Sequence, residues 1–233
     1  MANTRFNPSI SGPLHLGGCY MSLVNYHYAK ASKGKFYTRF DDQHAPSLAG
    51  IGFERMTYMA DVMQEQLTWL GLDGIYERES KLLPGIEQRI HELVDFVVPP
   101  PQQIYGSHEI TPLWIGGHSL VYPYTPVLTL HKVFMDHDEG IDILIRGDEL
   151  MTEVSLYCYY CDLLDWPKPR FVYLPRLRAG SGEISKTVGG FTLGEYMAQG
   201  YQPDDILVML AVACLKNPAN GWGLENIKDR PCL

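Results

Sequence analysis

The sequence predicts an α/β protein: a doubly wound, mostly parallel sheet, Rossmann-like, interrupted by a short insertion and followed by a small helical C-terminal segment. Three observations carry that prediction. Residues 1–42 read strand–turn–helix–strand, with glycines at the first turn. Helical stripes then alternate with short apolar runs along the rest of the chain. A stretch broken by Pro99–Pro101 and Gly116–Gly117, within residues 78–125, separates two such alternating parts.

Each element follows from local pattern. Residues 3–8 are extended and end at Pro8, and Ser9 to Pro13 is turn chemistry with Gly12-Pro13 as the breaker. From His15 to Ser32 the apolar positions Leu16, Tyr20, Leu23, Val24 and Tyr28 recur at helical spacing, and Gly34 stops the helix. Lys35 to Asp41 alternates as a strand, with Phe36, Thr38 and Phe40 on one side and Tyr37 and Arg39 on the other. Phe53 to Leu70 carries the stripe Phe53, Met56, Ala60, Met63, Leu67 and Leu70, read as core, and Gly71 to Gly74 ends it. Glu87 to Phe96 is a helix candidate inside the irregular stretch. Leu128 to Met135 and Gly140 to Gly147 are strand candidates, Leu150 to Leu164 is helical, and Phe171 to Leu174 is a short strand. Phe191 to Gly200 and Asp204 to Cys214 are two more helices, with Pro203 suited to the first turn of the second. These readings divide the chain into a first half-fold over 1–77, an insertion over 78–125, a second half-fold over 126–180 and a loop with helical segment over 181–233.

Composition narrows the function classes. With 233 residues, 45% of them hydrophobic, the chain is long enough to bury a core, and no apolar run approaches the roughly 20 residues that span a bilayer. Met1 to Arg5 leads straight into the first motif and leaves no room for a signal peptide, so a cytoplasmic location and no membrane partner are expected. The net charge of -8 disfavours a broad nucleic-acid surface. The five cysteines form no disulfide framework by spacing. Cys158-Tyr-Tyr-Cys161 has metal-like spacing without a second pair nearby, so it is read as helix packing and no metal site is expected.

Two separated stretches carry the chemistry. In Arg5 to Gly18, a tight turn opens a helix at His15-Leu-Gly17-Gly18. A helix N-terminus favours an anion, glycines admit a base or ribose against the backbone, and His15 can donate a hydrogen bond to a phosphate oxygen. In Gly182 to Thr187, Ser185 and Lys186 sit on a glycine-flanked loop that can close on a polyphosphate.

In order and spacing these segments resemble the class I aminoacyl-tRNA synthetases, specifically the glutamyl/glutaminyl group. Thr4-Arg5-Phe6, Pro8-Ser9, Gly12 and Leu14-His15-Leu16-Gly17-Gly18 are similar to that group's opening strand and His-Ile-Gly-His signature. Arg39-Phe-Asp-Asp42 resembles its next strand end, and Ile145-Arg146-Gly147-Asp148-Glu149 its second-half segment. Glu183-Ile-Ser185-Lys186 is similar to the Lys-Met-Ser-Lys-Ser signature. The resemblance implies ATP-dependent amino-acid activation, in which a carboxylate attacks the α-phosphorus of ATP and pyrophosphate leaves. It implies that Ser11, His15, Gly17, Gly18, Ser185 and Lys186 hold ATP, with His15 and Lys186 catalytic and Mg²⁺ accompanying the nucleotide. It implies that Arg5, Ser9, Asp41, Leu128 and Arg146 line the amino-acid pocket, the two arginines favouring glutamate or a similar side chain.

The departures are equally specific. Gly18 stands at the last His of the first signature, Glu183 at the first Lys of the second, and Leu128 at the family's side-chain-contacting tyrosine. The insertion is shortened, and no anticodon-binding domain is expected after the second signature. tRNA is therefore an acceptor with reduced recognition regions. The alternatives are a tRNA-modifying glutamyl-queuosine-type synthetase and a non-catalytic amino-acid- or nucleotide-binding regulator.

Overall fold

The structure is a computed structural model that describes residues 1–42, 53–93, 104–105, 108–109, 113–115, 118–120, 125–147, 154–174, 177–179, 182–183, 192–216 and 228–230. Its first half runs β1 (Asn3–Phe6), α1 (Leu16–Ala31), β2 (Phe36–Phe40), α2 (Phe53–Trp69), β3 (Ile75–Arg78) and α3 (Glu79–Leu93). Two short hairpins follow, β4 (Ile104–Tyr105) with β5 (His108–Glu109) and β6 (Leu113–Ile115) with β7 (His118–Leu120). The second half is α4 (Thr125–Asp138), β8 (Ile141–Gly147), α5 (Val154–Leu163) and β9 (Arg170–Leu174). Beyond it lie the hairpin β10 (Arg178–Ala179) with β11 (Gly182–Glu183), α6 (Leu193–Ala198), α7 (Pro203–Lys216) and β12 (Lys228–Arg230).

The sheet order is β12-β9-β8-β1-β2-β3. Strands β9, β8, β1, β2 and β3 are parallel, and β12 adds an antiparallel edge against β9. The chain winds from β1 outward through β2 to β3, then restarts on the other side of β1 with β8 and β9. The switch point is therefore the β1/β8 boundary, where a doubly wound sheet opens a crevice at its carboxyl edge. The expected fold class is what the chain adopts.

Both faces of the sheet are covered. Val172 and Leu174 of β9 pack with α1, α2, α6 and α7, while Phe171 and Tyr173 pack with α3, α4 and α5. The period-2 alternation thus sorts side chains between two buried faces rather than between core and water. The stripe Ala60, Met63, Leu67 and Leu70 of the α2 segment is buried, as read. After α1, Lys33 takes a left-handed conformation with φ 57°, and Gly34 follows. A Cβ on Gly34 would overlap the Ala2 carbonyl, so this glycine is needed for the close pass of the chain entering β1.

Three expectations need correction. Leu128 to Met135 is helix, within α4, not strand. Its buried positions Leu130, Val133 and Phe134 follow the helical period, and a short apolar run does not separate the two readings by itself. Strand β3 completes the parallel sheet from a segment with only Ile75 and Tyr76 as apolar members, too short a pattern to register in sequence. Cys158 is disulfide-bonded, its partner not among the described side chains, whereas Cys19 and Cys161 are free and buried. Burial pushes the Cys19 thiol up to about 12 and the Cys161 thiol to about 11. Among the described residues, no helix is long and apolar enough to cross a membrane.

Candidate functional site

The carboxyl edge of the sheet collects most of the described candidates. β1 ends at Phe6, and the turn beyond it leads to His15, which caps α1. Its Nδ1 accepts a hydrogen bond from the Gly17 amide at 3.1 Å. A ring nitrogen that accepts carries no proton, so the proton of the neutral ring sits on Nε2, which is then the donor edge. The same bond engages the Gly17 N–H, one of the backbone donors that sequence reading offered to a nucleotide. No acidic side chain lies in the first turn of α1, so the positive end of its dipole keeps its field. Gly18 has a packing reason of its own: a Cβ there would lie 2.6 Å from Cδ1 of the buried Leu14.

Ser9 and Asp41 are brought side by side. They form a parallel bridge beyond the ends of β1 and β2, with the Asp41 amide donating to the Pro8 carbonyl at 3.0 Å. Ser9 Oγ accepts from the Ser11 amide at 3.4 Å, which folds the turn back on itself. Asp41 is buried, and Arg146 is half-buried near the carboxyl end of β8. Leu128 is half-buried on α4. Ser185 and Lys186 lie outside the described residues, yet the chain that leaves their loop does not. Thr192 bridges His15 in antiparallel fashion, and the Leu193 amide donates to the Leu14 carbonyl at 2.7 Å. Thr192 also caps α6 through a capping box with Glu195. Glu183 pairs with Arg178 across the β10–β11 hairpin.

Arg5 is held by a group that sequence reading missed. Its Nε and Nη2 donate to the two oxygens of Asp136 at 2.6 and 3.1 Å, and its Nη1 reaches Asn7 Oδ1 at 3.4 Å. Asp136 also accepts from Arg39 Nη2 at 2.7 Å and from the Tyr157 hydroxyl at 3.0 Å. Arg39 in turn meets Glu139 at 2.8 Å and Glu79 at 3.5 Å, and Asn7 donates to Glu79 at 3.0 Å. Burial alone would raise the Asp136 carboxyl, but Arg5 and Arg39 overcome it and hold the group below its ordinary range. Burial would likewise lower the Arg39 guanidinium, and Asp136, Glu139 and Glu79 more than reverse that. Glu139 is raised to about 7, first by burial and then by Asp136, with Arg39 only partly offsetting them. A signal for Asp136 existed in the sequence: it lies three residues after Val133 on the buried stripe of α4, and an acid in such a stripe needs a cation.

A cavity of about 310 Å³ opens at the other end of the sheet, between Gly140, Ile141, His137 and Trp166 to Pro169, and Asp136 and Tyr157 of the ion cluster also line it. It lies at the amino ends of β8 and β9 and is not where the sequence motifs gather. Among the described residues, no group of three or more His, Cys, Asp or Glu could hold a metal ion.

A parallel sheet with its switch point at β1/β8, a histidine-capped helix after β1 and an acid after β2 define a doubly wound α/β domain with its candidate residues at the carboxyl edge. Residues 1–96 match the family model for tRNA synthetases class I (E and Q), catalytic domain. The glutamate–tRNA ligase of Caulobacter vibrioides is 26% identical across 94% of this chain and 56% of its own length. A glutamate–tRNA ligase of Ehrlichia canis is 24% identical across 96% of this chain and 57% of its own. The chain thus spans little more than half the length of these curated relatives. The crystal structure of a glutamate tRNA ligase from Elizabethkingia meningosepticum, in complex with its amino acid, superposes with a TM-score of 0.65 at 18% identity, covering 90% of this chain and 60% of that one. A tyrosyl-tRNA synthetase from Archaeoglobus fulgidus shares the fold at a TM-score of 0.54, covering 82% of this chain and 60% of its own. The chain has a class I glutamyl-tRNA synthetase-like core.

Proposed function

We propose that this core activates an amino acid, glutamate or a close relative, with ATP, and passes the aminoacyl group to tRNA or another acceptor. The observation that carries the reading is the seam between Leu14-His15 and Thr192-Leu193. It brings Thr192, six residues after Lys186 in sequence, against the histidine turn, which supports a reading in which both signatures serve one nucleotide. In this reading the first half-fold runs from β1 to α3 and the second from α4 to β9, and the insertion between them has lost part of an acceptor-binding surface.

The residues divide the work by chemistry. The Nε2–H of His15 and the Gly18 amide at the α1 N-terminus face the triphosphate, Gly17 leaves room for the nucleotide while its own N–H holds the His15 ring, and Ser11 closes the turn beside it. Ser185 and Lys186 add a hydroxyl and a cation as negative charge builds on the phosphoryl oxygens. Asp41 takes the substrate ammonium, and Ser9 stands beside it. Arg5 and Arg146 face the side chain, with Leu128 contributing an apolar wall. The described side chains form no protein cage for Mg²⁺, and a cation carried on the phosphate oxygens needs few protein ligands.

ATP–pyrophosphate exchange across the twenty amino acids tests the reading. Exchange with glutamate or a relative is expected, and Lys186→Ala should lower it roughly a hundredfold or more while the far-ultraviolet spectrum stays unchanged. Absence of exchange with every amino acid would leave the regulator reading in possession. Charging of total tRNA then separates an aminoacyl-tRNA ligase from a tRNA-modifying enzyme.

A further inference from the structure

The strongest side-chain cluster among the described residues is the one around Asp136, and nothing in the motif chemistry uses it. Arg5 enters the buried layer from β1 and presents its Nε edge to Asp136. Its Nη1 end turns toward Asn7, the residue just beyond β1 on the carboxyl side of the sheet. Asp136 comes from α4, 131 residues away in sequence. That carboxylate is itself fixed from two further elements, by Arg39 on β2 and the Tyr157 hydroxyl on α5. Four donors on one carboxylate leave it a single orientation, and a bidentate contact leaves the guanidinium plane a single orientation too.

We propose that Asp136 is a positioning residue for the amino-acid pocket: it clamps Arg5 by its Nε edge so that the Nη1 end is presented to the substrate side chain. This rests on the reading of Arg5 as a pocket residue. Preorganisation of this kind strengthens binding by removing the cost of ordering a long side chain when the ligand arrives. Arg39 and Tyr157 act one step further back, by holding Asp136. A clamp acting on Arg5 should change recognition of the amino acid and leave ATP untouched, because His15 and Gly18 lie on the other side of β1's turn.

The test uses the whole chain with two near-isosteric variants, Asp136→Asn and Tyr157→Phe. Calorimetric titration with L-glutamate gives Kd, and pyrophosphate exchange gives separate KM values for glutamate and ATP. Asp136→Asn should raise the glutamate Kd and KM roughly tenfold with the ATP KM held within about twofold, as loss of charge-assisted hydrogen bonds predicts. Tyr157→Phe should move the same constants the same way by about twofold to threefold, and it serves as the test where Asp136→Asn fails to fold. Unchanged glutamate constants, or glutamate and ATP constants that rise together, would overturn the clamp. A wild-type chain that shows no exchange but whose glutamate Kd still weakens in Asp136→Asn sinks the adenylating reading and keeps the clamp. No binding of glutamate or of any relative by the wild-type chain sinks both.

Discussion

Beneath α1, α2, α6 and α7 the sheet is packed with carbon, and its buried polar members, such as Thr4, Asn25 and Thr38, are uncharged. Beneath α3, α4 and α5 the same strands bury Arg5, Arg39, Glu79 and Asp136, with Glu139 at the rim. The two faces are written by alternate residues of the same strands: Phe36, Thr38 and Phe40 go one way, Tyr37 and Arg39 the other. Apolar packing is non-directional and tolerates repacking, whereas an ion network works only in one geometry. The difference shows where this fold invests in orientation, and it is the face from which Arg5 is held.

Emptying one position on each face measures that contrast. Arg39→Met removes the guanidinium that meets Asp136, Glu139 and Glu79 and should cost about 4 kcal/mol, since removing one partner of a buried pair strands the other. Leu67→Ala on the opposite face should cost about 3 kcal/mol through a cavity. Urea denaturation of both variants checks the order. A smaller loss for Arg39→Met than for Leu67→Ala would mean the charged face is no more demanding than the apolar one.

The second contrast is in pH. Glu139 is raised from 4.5 to about 7, first by its burial and then by the Asp136 carboxylate beside it, with the Arg39 guanidinium only partly offsetting them. A carboxyl raised on folding stabilises the native state while it stays protonated. That contribution is present in full below about 4.5 and is lost as the pH climbs to about 7. Glu139→Gln mimics the protonated form. Its unfolding free energy should be close to wild type at pH 4.5 and exceed it at pH 8 by on the order of 2–3 kcal/mol, read by urea denaturation. Equal unfolding free energies of the two proteins at both pH values would remove Glu139 from the comparison.

The smallest expected effect sits at the seam. Thr192→Ala removes the cap of α6 and should cost about 1 kcal/mol. If the seam also steers the Lys186 loop, pyrophosphate exchange should fall by more than the fraction of chain unfolded. Exchange that tracks the folded fraction would make Thr192 a cap and nothing else.

Much of this was legible from the residues. The strand–turn–helix–strand opening, the α2 stripe and the His15 turn all depend on contacts within a few residues of one another, and local pattern reports those well. The α4 segment was misread because eight residues of mixed apolar and polar character satisfy two periods. Strand β3 escaped because a parallel edge strand is stabilised by its neighbour β2, not by its own four residues.

The sequence alone determined the fold class and the helix-opening turn at His15, because turn chemistry and hydrophobic period are properties of adjacent residues. Only the tertiary structure decided that Asp136 meets Arg5, that Arg39 serves three carboxylates and that Thr192 returns to His15. Those pairings depend on the order in which strands and helices stack, and in a sheet that restarts beside its first strand, residues far apart in the chain become neighbours without any local mark of it.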